Sequence, residues 1–213
     1  MRATSTGEET EKAIREAAVR VIAKHGFQAA SLREIANEVG IQAPSLYNYI
    51  KSKERLLYEL LKEPLHAMIA EYRMLTDGVV DPAVRLQIFT QVHLNFHLNS
   101  RLEVFIGNME LRSLTAAHYR TICDLREEYA RLLQGIIQDG VKARVFTAAQ
   151  PRVVTLVMLG LLSGVCNWYK PDGPMSSEEM MRLHLELVFR ALGAAPPVAA
   201  KAARKKVASA RSS

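Results

Sequence analysis

Cysteine is scarce in this sequence, which has only Cys123 and Cys166 among its 213 residues. The two lie far apart in apolar, helix-like surroundings, where cytosolic thiols are normally reduced members of the core. A scaffold held together by disulfides is therefore excluded. The apolar stretch of a secretory signal is also missing, because residues 1–11 are polar and acidic. We therefore expect a cytoplasmic protein.

Signatures of catalysis are lacking as well. The sequence has no glycine loop that would cradle a phosphate, no H-E-x-x-H zinc motif and no G-x-S-x-G elbow. Ser163 precedes a glycine in the segment LLSGV, but this segment lacks the elbow pattern. We therefore expect no enzymatic activity and no cofactor.

His93 and His97 are one helical turn apart and would bind a metal ion from one face of a helix. No cysteine, aspartate or third histidine near them in the sequence completes a ligand set. A metal sensor is therefore only an alternative.

Hydrophobic runs of membrane length are absent. The longest uncharged segment, residues 153–169, is short for a membrane span and is interrupted by Thr155, Ser163 and Asn167. A helix that is apolar on all sides needs neighbours on all sides. The segment therefore predicts an interface helix that covers a core and meets a second subunit, and no membrane insertion is expected.

Acidic residues are absent from the C-terminal end, residues 194–213, which is rich in alanine and proline. Most of the net charge of +6 lies there, on Lys201, Arg204, Lys205, Lys206 and Arg211. This composition predicts a disordered basic tail that either adds salt-sensitive attraction to DNA or has no function. The whole chain is 49% hydrophobic and 23% charged, which is ordinary for a globular protein with a sizeable core.

Apolar residues recur at helical spacing, and no strand pattern or internal repeat is present, so an all-α fold is predicted. The first helix ends at Gly26, and a long helix from Ser52 is expected to kink at Pro64. Further helices are predicted at about 81–98, 100–113, 116–142, 147–170 and 176–192.

Residues 31–56 form the most informative segment. Ser31 and Glu34 have the spacing of a capping box that starts a helix, and Gly40 supplies the left-handed residue that ends it. Pro44 suits the first turn of a second helix, since its missing N–H costs nothing there. The pattern predicts a helix-turn-helix.

On the second of these helices Leu46 and Ile50 share the inner side. Serine and tyrosine donate to phosphates, and glutamine and asparagine pair with adenine in the major groove, so the outer side has the chemistry of a recognition helix. The alternative is a short surface helix in a helical bundle. The outward residues are Gln42, Ala43, Ser45, Tyr47, Asn48 and Tyr49.

The segment resembles the DNA-binding domain of the TetR family, whose pattern is G-[VI]-x-x-x-[ST]-[LI]-Y-x-[YH]-[FI] followed by K-[ST]-K-[ED]-x-L. Ile50 stands where the family usually has Phe, and Ala43-Pro44 replace more common polar or glycine residues. Because of these departures, the family pattern predicts DNA binding but does not predict which operator sequence is bound. The matching residues are Gly40, Ile41, Ser45, Leu46, Tyr47, Tyr49, Ile50, Lys51, Ser52, Lys53, Glu54 and Leu56.

By this resemblance, the third helix enters the major groove of double-stranded operator DNA. Phosphate contacts are implied for Ser31, Ser45, Tyr47, Tyr49 and Lys53, and base contacts for Gln42, Ala43 and Asn48. The implied organisation is a three-helix DNA-binding domain at 8–52, a larger helical domain for ligand binding and dimerisation at 53–193, and the basic tail at 194–213. The family dimerises through its last two helices, which implies a homodimer on a roughly palindromic operator.

The stretch that begins N-W-Y-x-P-D-G-P at Asn167 resembles TetR members that regulate fatty-acid or steroid breakdown and respond to acyl-coenzyme A. Such an effector needs an apolar channel and cations for its phosphates. Arg112 is the first candidate for the phosphates, before Arg101 and Arg120. Candidate channel residues are Phe89, Val92, Phe96, Phe105, Met109 and Trp168.

Three alternatives to this hypothesis remain open. The apolar candidates are also ordinary core residues by pattern, and the arginines are also partners for Glu103 and Glu110. The effector is otherwise a drug-like or aromatic compound, or a metal, in the control of efflux or stress genes. A purely structural DNA-associated dimer would show no effect of a ligand on DNA affinity.

Overall fold

The computed structural model describes residues 3–197, with side chains from residue 7, and this part of the chain contains helices and turns but no strand. The all-α prediction is therefore confirmed. The helices are α1 (Ala3–Ala29), α2 (Leu32–Val39), α3 (Ala43–Leu46), α4 (Lys53–Leu75), α5 (Pro82–Asn99), α6 (Arg101–Met109), α7 (Ala116–Lys142), α8 (Pro151–Ser163), α9 (Val165–Trp168) and α10 (Ser177–Ala191), with a 3-10 turn at Leu111–Ser113. The predicted basic tail lies outside the described residues, apart from its first few positions.

Local capping sets several helix ends where the sequence predicts them. The Ser31 hydroxyl accepts the Glu34 N–H at 3.1 Å, and the Ser176 hydroxyl accepts the Glu179 N–H at 3.1 Å. Gly26 adopts φ 76° and ψ 159°, which breaks the helical path of α1 one residue before Phe27. Each of these residues acts on backbone groups only a few positions away, so its effect can be predicted from the sequence.

The described residues form two compact units. Unit 1 comprises residues 3–66 with 100–126, and unit 2 comprises 67–99 with 127–197. Helices α4 and α7 each contribute their first part to unit 1 and their remainder to unit 2. The boundary at 52/53 between a DNA-binding and an effector domain is a division by function, and it stays a prediction.

Unit 1 is built on one hydrophobic core. Residues from α1, α2, the region of α3, the first half of α4, α6 and α7 pack together in it. Phe27, which follows the break at Gly26, is buried in this core. The largest fully buried side chains of this core are Ile14, Ile22, Ile35, Leu46, Leu57, Ile106 and Ile122.

Unit 2 is centred on α5, which packs against α8, α9 and α10. Phe89 lies in its interior, with ring centroids 5.6 Å from Tyr72 and 4.8 Å from Tyr129. Phe146 covers Gly140 so closely that a Cβ there would fall 1.9 Å from the ring. A glycine is therefore required at position 140.

Two helices differ in detail from the prediction, and the kink expected in a third, α4, stays a prediction. The segment 147–170 becomes helical only at Pro151, whose ring disfavours helical backbone in the preceding residue, and it divides at Gly164. The segment 100–113 ends as an α-helix at Met109 and continues as the 3-10 turn. Helix α4 is continuous through Pro64.

By length and composition alone, Pro151–Trp168 would be sufficient to cross a membrane. In the structure it is two helices, α8 and α9, which contribute Met158, Leu162 and Val165 to the buried interior. The core helices of soluble proteins can have the same length and composition.

Candidate nucleic-acid interface

The turn between α2 and α3 is closed by backbone hydrogen bonds. Gly40 adopts φ 77° and ψ 26°, and its N–H lies 3.1 Å from the Asn37 carbonyl oxygen. The Ile41 N–H donates to the Ala36 carbonyl oxygen at 3.0 Å, which completes the left-handed helix end. The short turn that the sequence predicts is therefore present, and it fixes where α3 begins.

Helix α3 is regular only over Ala43–Leu46 and then tightens. The N–H groups of Tyr47, Asn48 and Tyr49 donate to carbonyls three residues earlier, at 3.3, 3.2 and 3.0 Å. The prediction of a helix through residue 50 was thus too long, because the last turn is of 3-10 type. We call residues 42–50 the recognition turn.

The recognition turn separates buried from exposed side chains as predicted. Leu46 and Ile50 are buried in the core of unit 1, whereas Tyr47 is 61% exposed and Tyr49 is 37% exposed. Gln42 and Asn48 are exposed as well, and Ala43 and Ser45 are half-buried. Amide and phenol groups are therefore presented together on one outer surface, while the aliphatic pair holds the turn in place.

Ser31 is exposed beside this surface, but its oxygen is already the acceptor in the cap of α2. Its hydroxyl proton remains available as a donor, so the cap is compatible with the predicted phosphate contact. The assignment of Ser31 to a phosphate stays a prediction.

Lys53 has a structural role that the sequence did not reveal. Its ammonium group donates to the carbonyl oxygens of Phe27 at 2.7 Å, Gln28 at 3.2 Å and Ala30 at 2.8 Å, and it lies 4.5 Å from the centroid of the Phe27 ring. These carbonyls lie at the C-terminal end of α1, which stops at Ala29, so they have no partner within the helix. Because all three protons of the ammonium group are donated to these carbonyls, a phosphate contact by Lys53 would compete with these hydrogen bonds.

A Lys53→Met variant is expected to lower the free energy of unfolding by about 2 kcal/mol, since it leaves several carbonyl oxygens without a charged donor. Urea denaturation followed by circular dichroism measures this change. Lys51→Met is the matched control, because Lys51 is exposed. Equal stability of the two variants would contradict the structural role of Lys53.

Glu54 joins the first turn of α4 to the start of α7. Its carboxylate accepts the Thr115 N–H at 3.0 Å and the His118 Nδ1–H at 2.8 Å. Burial alone would raise the pKa of Glu54, but these hydrogen bonds and the nearby imidazole hold that pKa below its ordinary value. The family pattern contains an acidic residue here, yet its partners lie far along the chain and have no sequence signal.

The candidate effector residues divide between the two units. Phe89 and Val92 are buried in unit 2, Phe96 is half-buried there, and Trp168 is 58% exposed. In unit 1, Phe105 and Met109 lie on the exposed side of α6, and Arg112 is exposed in the 3-10 turn. Phe89 and Val92 have the packing of ordinary core residues, so the predicted channel stays a prediction.

A buried polar stripe runs along α5 in unit 2. Thr90, His93 and His97 lie on one helix face, and His93 is hydrogen-bonded to the Tyr129 hydroxyl at 3.3 Å and the Ser163 hydroxyl at 3.1 Å. The His97 Nδ1 lies 2.8 Å from the His93 carbonyl oxygen. Within the described residues the buried Thr90 hydroxyl has no hydrogen-bond partner. The stripe therefore places hydrogen-bonding side chains inside an otherwise apolar interior.

Burial also keeps this stripe neutral. It lowers the pKa of His93 well below the ordinary value, and the nearby His97 and His184 lower it further. Burial lowers the pKa of His97 too, although the hydrogen bond to the His93 carbonyl opposes the change. Both nitrogens of His93 face hydroxyl groups, and no cluster of three potential metal-ligating side chains occurs in residues 3–197.

A helix-turn-helix with an exposed amide- and phenol-bearing recognition turn defines a DNA-binding protein. Residues 14–60 match the profile of the tetR family of bacterial regulatory proteins, and residues 79–192 match the tetracyclin repressor-like C-terminal domain. The chain belongs to the TetR family of bacterial transcriptional regulators. The resemblance seen in the sequence is confirmed, and the members of this family are regulators and not enzymes.

Two curated relatives of this chain are regulators by name. The HTH-type transcriptional repressor KstR2 of Mycobacterium tuberculosis is 25% identical over 176 residues, which cover 82% of this chain and 88% of KstR2. The fatty acid metabolism regulator protein of Bacillus subtilis is 25% identical over 128 residues, 60% of this chain and 66% of that protein.

Solved structures agree on the fold. A tetR-family regulatory protein from Rhodococcus RHA1 has a TM-score of 0.79 at 27% identity, over 87% of this chain and 98% of that one. AibR, solved in complex with isovaleryl coenzyme A and operator DNA, has a TM-score of 0.75 at 23% identity, over 84% and 98% of the two chains. The second likeness shows the fold alone.

Proposed function

We propose that the protein is a homodimeric repressor that is released from its operator by an acyl-coenzyme A thioester or a similar apolar effector. The observation that carries the DNA-binding part is the recognition turn, where exposed Tyr47, Asn48 and Tyr49 stand on the buried pair Leu46 and Ile50. Nothing in the packing of unit 1 requires exposed phenol and amide groups there. Phosphates and base edges are the partners that such groups fit.

The proposed dimer is supported by an apolar stripe on α8. The side chains of this stripe follow the i, i+3, i+4, i+7, i+8 spacing of one helix face. They are exposed in the single chain, as the side chains of an interface helix are before a second subunit covers them. Gly160 lies on the same face and would permit close approach of a second helix. Leu187 is exposed on α10. The stripe consists of Val153, Leu156, Val157, Gly160 and Leu161.

The proposed effector class is supported by two kinds of observation. KstR2 and the Bacillus subtilis fatty acid metabolism regulator are relatives of this chain, and the AibR structure of the same fold contains isovaleryl coenzyme A. In unit 2, the polar stripe of α5 offers hydrogen-bonding groups within an apolar interior. A thioester carbonyl at the head of an apolar acyl chain needs this combination.

Release from DNA follows from differential affinity. An effector that binds the DNA-free form about a hundredfold more tightly than the DNA-bound form lowers operator affinity by the same factor, about 2.7 kcal/mol. An effector that binds both forms equally would not act as an inducer.

Fluorescence anisotropy of a duplex from the region upstream of the protein's own gene tests the proposal. The duplex is titrated with protein and then with short-chain, long-chain and aromatic acyl-coenzyme A compounds, with a random duplex of equal length as control. We expect specific binding and release by one chain class. Specific binding without release by any of these compounds would contradict the proposed acyl-coenzyme A effector but would still support the DNA-binding function.

A Tyr47→Phe variant is expected to bind this duplex about fivefold more weakly at matched salt, because one phosphate hydrogen bond of about 1 kcal/mol is lost. Stability is expected to be unchanged, since the side chain is exposed. Tyr119→Phe is the matched control, with an exposed tyrosine on α7. Equal affinity of Tyr47→Phe and wild type would remove Tyr47 from the DNA contacts.

A further inference from the structure

The first turn of α4 is tied to the start of α7 by three residues, which we call the Glu54 latch: Glu54, Thr115 and His118. Glu54 Oε1 accepts from the Thr115 N–H at 3.0 Å and from His118 Nδ1 at 2.8 Å, and Oε2 lies 3.1 Å from the same ring nitrogen. Thr115 directly precedes α7, so the carboxylate also sits at the positive end of that helix. All of these residues belong to unit 1.

The His118 ring is held from its other sides as well. It stacks on Tyr58 with a centroid distance of 3.8 Å and an angle of 13° between the rings. Arg55 Nη1 lies 3.4 Å from His118 Nε2. Because the guanidinium only donates, Nε2 is the acceptor and Nδ1 carries the proton that is donated to Glu54. A neutral imidazole therefore satisfies the whole arrangement.

The latch is placed directly behind the recognition turn. Ile50 is buried in the unit 1 core, and only Lys51 and Ser52 separate it from Lys53, which is fixed to the end of α1. The next residue is Glu54, which is fixed to α7. The chain that leaves the recognition turn is thus anchored on one side to α1 and on the other to α7, so the position of α7 bears on the position of the turn.

We propose that the Glu54 latch is a positioning element for DNA recognition, through which the start of α7 sets the orientation of the recognition turn and thereby operator affinity. Glu54 and His118 act through the turn and need no contact with DNA. This inference rests on the proposed DNA-binding function. It assigns a role in affinity to two residues outside the recognition turn.

Amide hydrogen exchange on the DNA-free protein tests the latch without any ligand. Glu54→Gln and His118→Ala are each expected to raise the exchange rates of amides in residues 43–52 about tenfold, because local opening becomes less costly. The double variant is expected to show less than the sum of the two increases, since both changes weaken the same Glu54–His118 hydrogen bond. Glu38→Gln is the control, with an exposed carboxylate in the same domain that is paired to Arg20 at 3.1 Å.

Anisotropy titration at matched salt provides the second readout. Glu54→Gln and His118→Ala are each expected to weaken binding to the upstream duplex about tenfold relative to binding to the random duplex. Glu38→Gln removes the same charge as Glu54→Gln and corrects for its general effect on DNA affinity.

Each outcome bears on one claim. Faster exchange in both single variants, no additivity and weaker specific binding support the latch. Unchanged exchange, additive effects, or faster exchange with unaltered specific affinity overturn it. A wild-type protein that does not distinguish the upstream duplex from the random one overturns the proposed function instead, and the exchange experiment still reports whether the three residues act as one unit.

Discussion

A Val157→Asp variant is expected to be monomeric in sedimentation and to bind operator DNA more than about a hundredfold more weakly than the wild type. Val157 is 64% exposed in the single chain, so the substitution leaves the fold of unit 2 intact. In the proposed dimer this residue lies on the stripe of α8 that faces a second subunit, where an unpaired carboxylate would be buried at high cost. In a dimer the two recognition turns are linked and bind the two half-sites of one operator together. A monomer loses the gain in affinity that this linkage provides.

The matched control is Val80→Asp, because Val80 is also an exposed valine, at 87%, but lies in the turn between α4 and α5. Sedimentation velocity and anisotropy are measured at the same protein concentration for both variants. A dimeric Val157→Asp protein would rule out the proposed interface. A monomer with normal operator affinity would keep the interface but show that one chain is sufficient to bind DNA.

Acidification is expected to destabilise the protein below about pH 6.5, by at most about 3 kcal/mol per pH unit for two histidines. His93 and His97 have folded-state pKa values below the ordinary value of 6.5, chiefly because both are buried. As the pH falls, the unfolded chain therefore binds protons before the folded protein does. The stability contributed by the neutral pair is complete above about pH 6.5 and is lost as the pH falls toward the folded pKa values.

Urea denaturation at several pH values between about 5 and 8 measures this slope. A His93→Gln variant is expected to show about half of this slope, and His66→Gln, at an exposed position, is the matched control. The depressed pKa of Glu54 adds a loss only below the ordinary value of 4.5, so the two effects separate. A flat profile between pH 5 and 7 would show that folding does not lower the pKa values of these two histidines.

Features that depend on neighbours in sequence were predictable. The cap of α2 by Ser31, its end at Gly40 and the cap of α10 by Ser176 each involve groups within a few residues, and all three are present. The division of the recognition turn into buried Leu46 and Ile50 and exposed tyrosines followed from helical spacing. The length of α3 did not, since tightening to a 3-10 turn leaves this spacing almost unchanged over so few residues.

Features that depend on distant partners were not predictable. Lys53 has the residue type of a phosphate contact, and only the path of α1 reveals that its ammonium group is held by three carbonyls. His118 had no distinguishing neighbours in sequence, although it meets Glu54 in space. Apolar spacing likewise did not distinguish Phe89, which is interior, from Phe105, which is exposed on α6. A single sequence specifies which face of a helix is apolar more clearly than what that face contacts.

The recognition turn also has an evolutionary consequence. Leu46 and Ile50 are constrained by the core, whereas Gln42 and Asn48 project outward and contribute little packing. Substitutions at exposed positions are nearly neutral for stability. If these two amides read bases as proposed, gene duplicates of this chain are free to acquire new operators by mutation at positions 42 and 48 without passing through an unfolded intermediate. Binding specificity and foldability would then diverge independently within a single short turn.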